Sequence, residues 1–88
     1  MKKLKTVDAV VEDLMDQYPD LIIGLEENLT AEEFATKFHI SLGMKIRNEY
    51  GLWDNNQALL NDCNATTPDA ASSVILKKLW EVLQVAKC

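Results

Sequence analysis

Five large apolar residues, Phe34, Phe38, Leu42, Ile46 and Tyr50, follow one another at intervals of four, and no stretch of the chain alternates apolar with polar residues as a half-buried strand would. Spacings of three and four place side chains on one face of an α-helix. The chain is thereby restricted to helices packed on helices. Ala31, Ala35, His39 and Gly43 widen the ridge to an arc of about 160° on a helical wheel, while Ile40 and Met44 project from the opposite side. One long helix over 31–50 is therefore expected as the central element. Thr30, three residues before Glu33, opens it with a capping box, in which each side chain satisfies a backbone amide that the first turn leaves free. Gly43 in its middle costs roughly 0.5–1 kcal/mol relative to alanine, a cost that close approach of another helix would explain.

The same reading extends along the chain. Val7, Val10, Val11, Leu14, Met15 and Tyr18 form one helical stripe, opened by Thr6 and stopped before Pro19. A short helix with Leu21, Ile22 and Leu25 inward follows, weakened by Gly24. After Tyr50, Gly51 fits the left-handed residue that ends a helix, and Leu52 its accompanying apolar contact. Asp54 and Gln57 have the spacing of a second capping box, for a helix running to about Asp62 with Leu59 and Leu60 inward. Trp53 is expected to pin this corner into the core. Thr67, Pro68 and Asp69 then open a last helix with Ala71, Val74, Ile75, Leu79, Trp80, Val82, Leu83 and Ala86 on its inner stripe. The fold expected is all-α, a single compact domain over residues 1–88 with four to five helices, a long central helix and a basic, flexible N-terminus at 1–5. A chain of this length buries about 60–65% of its unfolded surface, enough for one core and not two.

Composition narrows the function classes. The basic start is interrupted by Asp8, Glu12 and Asp13, unlike a secretory signal, and no run approaches the roughly 18 apolar residues of a membrane span. A cytoplasmic location is expected. Cys63 and Cys88 are too few for a disulfide framework or a zinc site, so both are read as free thiols, with Cys63 a small core filler. Phosphate-binding loops, nucleophile elbows and paired metal motifs are absent, and His39 stands alone. No enzyme, cofactor or metal is expected.

The net charge of −5 is unevenly spread: residues 1–5 carry three lysines, 6–36 carry nine acids and no Lys or Arg, and 37–88 carry six basic and five acidic groups. The acidic third has two readings, a solvated face that keeps the protein soluble or a negative surface, around Asp13, Asp16, Glu26 and Glu27, that docks onto a basic protein partner. Direct nucleic-acid binding is disfavoured by fourteen acids against nine bases. Ile40 and Met44 supply a second contact surface if the first helix does not cover them. Arg47 is either an anion binder or, the favoured reading, paired with Asp69 in a structural corner with Asn48, Gly51 and Trp53.

Ile46, Arg47, Asn48, Gly51, Leu52 and Trp53, followed by Pro68, Asp69, Ser72, Leu79 and Trp80, form a pattern over the C-terminal half. It resembles a family of small uncharacterised domains of bacteria and their phages. The resemblance implies the same helical fold and transfers no activity; where many of its members carry a second Asp this chain has Ala70, which removes the basis for a paired-carboxylate site. The function expected is a non-enzymatic protein-binding module, such as an inhibitor, an immunity-type protein or a phage anti-defence factor acting by surface occlusion. The alternative is a self-associating helical module using Ile40, Met44 and the last helix, and a third class is a small ligand binder or enzyme using Arg47 and His39.

Overall fold

The computed structural model describes residues 4–18, 30–53 and 56–87. Five helices follow in order: α1 Val7–Gln17, α2 Ala31–Phe38, α3 Ser41–Glu49, α4 Gln57–Asp62 and α5 Pro68–Lys87. No strand occurs among the described residues, so the all-α class holds. The Cα radius of gyration, 12.1 Å, is that of a compact chain of this length. The short helix expected after Pro19 and the acids Glu26 and Glu27 lie outside the described residues.

α5 organises the rest. It spans 20 residues, about 30 Å at 1.5 Å per residue, and each of the other four helices packs against it. Ala71, Ile75, Leu76, Leu79 and Leu83 are its buried apolar side chains, joined in one core by Val10, Val11 and Leu14 of α1, Phe34 of α2, Ile46 of α3 and Leu59 and Leu60 of α4. Leu76 belongs to this band although it was not expected there, and Val74, expected inward, is exposed. Thr67 caps α5 through Oγ1, which accepts from the Ala70 amide at 3.2 Å, and Pro68 takes the first helical position as the sequence indicates.

The expected long helix over 31–50 is divided. Its capping box is present, with Thr30 Oγ1 accepting from the Glu33 amide and Glu33 Oε1 from the Thr30 amide. The ladder then breaks at His39 and Ile40, where the His39 amide reaches only Thr36 O at 3.4 Å. Both residues keep right-handed helical angles, so the segment is interrupted and not reversed. Its cause lies in side chains. Ile40 offers no capping hydrogen bond, and the Arg47 guanidinium approaches the His39 carbonyl to 3.5 Å, an intrusion of the kind that interrupts helices. The long helix of the fold is thus α5, and the apolar ridge of 31–50 lies on two shorter helices that both pack on it.

The corner after α3 is built as expected except at its anchor. Gly51 adopts φ 71, and the Leu52 amide donates to Arg47 O at 3.1 Å, the bond that closes a Schellman cap. Leu52 is the buried residue, whereas Trp53 is 60% exposed. The chain has room for one inward side chain after the left-handed glycine, and Leu52 takes it. The N-cap of α4 is Asn56 and not Asp54, which lies outside the described residues. Asn56 also donates from Nδ2 to Tyr50 O at 2.8 Å and Leu4 O at 2.9 Å, tying the corner to the start of α1. Asp62 completes that link by accepting from the Val7 amide at 2.7 Å, and Asn64, at φ 53, ends α4 in the left-handed conformation.

Leu79→Ala should lower the unfolding free energy by about 2–5 kcal/mol, the range for a buried leucine, whereas Trp53→Ala should cost under about 1 kcal/mol. Urea unfolding followed by circular dichroism tests this, and equal losses would mean that Trp53 is packed.

Candidate functional site

The buried and half-buried polar residues that join helices lie in two groups. Arg47 of α3 has a side chain only 8% exposed. Its Nη1 donates to Ser72 Oγ at 3.0 Å, and Ser72 Oγ in turn donates to Asp69 O at 2.9 Å. Nε lies 3.5 Å from Asp69 Oδ1 without forming a hydrogen bond, so this contact is ionic only. Asp69 is 65% exposed, which limits the pair to about 1 kcal/mol or less. The bond to Ser72 matters more, because it sits inside, where an unmet charged donor is costly. Arg47 therefore presents its guanidinium to α5 and to the helix break and not to solvent, as the structural reading of the corner requires. Asn48, expected in the corner, is exposed, and the side chain that holds the corner's backbone is Asn56.

Gly43 belongs to the same arrangement. A Cβ there would stand 3.1 Å from Arg47 Nη1 and 3.7 Å from Leu76 Cδ1, so the absent side chain makes room for the guanidinium as much as for α5.

The second group joins α1 to α3. Tyr50 Oη donates to Asp13 Oδ2 at 2.7 Å, and Gln17 Nε2 donates to the same oxygen at 2.8 Å while approaching Glu49 Oε1 at 3.3 Å. Burial, and then the hydrogen bond to Asp13, pushes the Tyr50 phenol well above its ordinary pKa. Lys45 Nζ lies 3.3 Å from Glu49 Oε2 and 5.6 Å from the centre of the Tyr18 ring. Hydrogen bonding to Tyr18 and then to Glu49 raises its pKa. Asp13, half-buried, is thus engaged by Tyr50 and Gln17, while Asp16, with Asp8 and Glu12, is exposed on α1.

Cys63 is a buried free thiol, pushed up to about 11 by burial first and by the Asp62 charge second. A thiol held protonated is a poor nucleophile. Among the described residues no group of His, Cys, Asp and Glu could hold a metal ion, and no helix is long and apolar enough to cross a membrane.

The remaining feature is the outer side of α2 and the break. A shallow groove of about 490 Å³ runs between α2 and α5, walled by Glu32, Thr36 and His39 on one side and Ser73 and Lys77 on the other, with Ile40 at its edge. Ile40 is 75% exposed and Met44, one turn further along, 49%. α1 does not cover them. Of the residues singled out from sequence, the structure brings together Arg47 with Asp69 and Ile40 with His39, and it sets Asp13 with Glu12 and Asp16 along one open depression on α1. Ser72 and Asn56, which hold the corner together, were not recognised as such: a serine inside a helix carries no signal of the arginine it will receive, and Asn56 was masked by the equally plausible cap at Asp54.

These features define a small all-α domain whose interior polar side chains join helix to helix. The chain belongs to the family described as Domain of unknown function (DUF6794), whose model matches residues 5–83, so the match extends well beyond the C-terminal pattern. No curated protein and no solved structure matches the chain significantly.

Gly43→Ala should destabilise the wild type, because the guanidinium it meets is held by Ser72. In an Arg47→Ala background, itself lower by about 1–3 kcal/mol for the hydrogen bond lost at Ser72, the same change should stabilise by about 0.5–1 kcal/mol. A double-mutant cycle by urea unfolding measures the change of sign, and additivity would refute the contact. Alkaline pH offers a second check. The unfolded chain ionises Tyr50 and Cys63 above about pH 9–10 while the folded chain keeps them protonated, so the unfolded state binds fewer protons and stability falls as pH rises. Tyr50→Phe should be less stable than wild type by about 1 kcal/mol at neutral pH and should lose less between about pH 9 and 11; parallel curves would show that Tyr50 ionises freely.

Proposed function

We propose that the domain is a non-enzymatic protein-binding module that acts by occupying a partner's surface through the outer face of the α2–α3 break, with Ile40 and Met44 as its apolar anchors. The observation that carries this reading is the pair itself. Single exposed apolar residues are ordinary, but two large ones four residues apart, the first of them lining a groove with a polar rim, make the kind of surface that proteins bury on association. The exposed acids Asp8, Glu12 and Asp16, with the half-buried Asp13 beside them, give the same molecule a negative field suited to steering a basic partner. Occlusion of a partner is the mode of an inhibitor, an immunity-type protein or a bacterial or phage anti-defence factor, and it would operate in the cytoplasm.

The test uses the full chain, immobilised and exposed to nuclease-treated host lysate, beside an Ile40→Asp/Met44→Asp variant. A stoichiometric protein should be retained by the wild type and bound at least about tenfold more weakly by the variant, with the unfolding midpoint of the domain unchanged. Equal retention by both would end the reading.

A further inference from the structure

We infer that this face pairs two copies of the chain about a two-fold axis, Glu32 of each copy meeting Lys77 of the other across the groove between α2 and α5. The inference rests on the reading of the Ile40 face as a docking surface and names its occupant.

The charges on the groove walls motivate it. Most of the other cations described on the helices have a carboxylate or ring at hand: Lys45 has Glu49, Arg47 has Asp69, Lys78 has Glu81 and Lys37 the Phe38 ring. Glu32 and Lys77 line one groove from opposite walls, on α2 and α5, and neither is paired with the other. A patch with an acid on one side, a base on the other and an apolar residue beside them is complementary to itself: rotation by 180° about its centre sets each acid against the partner's base, twice per dimer. Ile40, at the edge of the same groove, supplies the apolar contact, while His39 and Ser73 belong to the polar rim.

Net charge gives the opposite expectation for one of the two reversals, which makes the idea decidable. Two copies at −5 repel at long range. If that repulsion were all, Glu32→Lys, which brings each copy to −3, would strengthen association, and Lys77→Glu, which brings it to −7, would weaken it. Paired charges require both reversals to weaken it, because each turns two attractive contacts into two repulsive ones.

Sedimentation equilibrium of the full chain up to about 1 mM tests this for the wild type, E32K, K77E and the E32K/K77E double variant. The wild type should dimerise, each single reversal should weaken the dimer about tenfold, and the double reversal should restore it to within about threefold. Mixing E32K with K77E should give a heterodimer tighter than either homodimer, since one copy then carries both cations and the other both anions. Both side chains are on the surface, so unfolding midpoints should stay close to wild type. A wild type that is monomeric throughout, a stronger E32K dimer, or a double reversal that does not recover would each overturn the pairing. If the lysate partner is still captured through Ile40 and Met44 in that case, only the self-pairing fails and the docking face stands; if capture is also absent, both fail.

Discussion

A helix of twenty residues with three leucines and an isoleucine along one side cannot cover that side by itself, and in this chain the covering of α5 decides everything else. Helical secondary structure in water is marginal without such packing. The four other helices are shorter and each gains its burial by lying on α5, so none of them is an independent unit. Position 79 is the middle of that band, where α5 is wrapped from several sides. The division of 31–50 follows from the same constraint. The two short segments joined through His39 and Ile40 each rest on α5.

Much of this arrangement was legible in the sequence because the signals were local. A threonine followed by a glutamate three residues later, a proline after a threonine, and a glycine after Tyr50 each act within one turn, and each produced the cap expected of it. The failures came where the deciding partner was distant. Spacing predicts a continuous helix through Ile40 because the ridge continues without a gap; the break involves Arg47, which acts through its side chain on the His39 carbonyl about two turns behind and on Ser72 in another helix. Trp53 is the largest apolar residue of its corner and was expected inside, but the left-handed glycine directs the next residue inward, and that residue is Leu52.

The polar interior shows why a sequence of this kind resists a functional reading. Arg47 and Asp13 are the residue types from which anion sites and acidic docking faces are made. In the folded chain both are consumed by architecture, Arg47 by Ser72 and the helix break, Asp13 by Tyr50 and Gln17. Ion pairs and hydrogen bonds in a partly buried setting are strong enough to be worth keeping only if their partners are fixed, and fixing two helices together is what these do. A side chain so engaged has little left for a ligand.

What the architecture does not consume is then informative. Ile40 adds almost nothing to the core, although burying such a side chain would contribute about 1.5–3 kcal/mol, and its position at the break means that neither α2 nor α3 can turn it inward without giving up the contacts of Phe34 or Ile46. The break that lets 31–50 wrap around α5 is therefore also what presents Ile40 to solvent. An apolar residue held outward by helical backbone on both sides is a preorganised contact: it costs little conformational entropy to bind, and the groove beside it carries an acid and a base that are not paired with one another. On physical grounds the face around the break is the part of this domain best prepared to meet another surface, and it is prepared by the same packing that makes the fold.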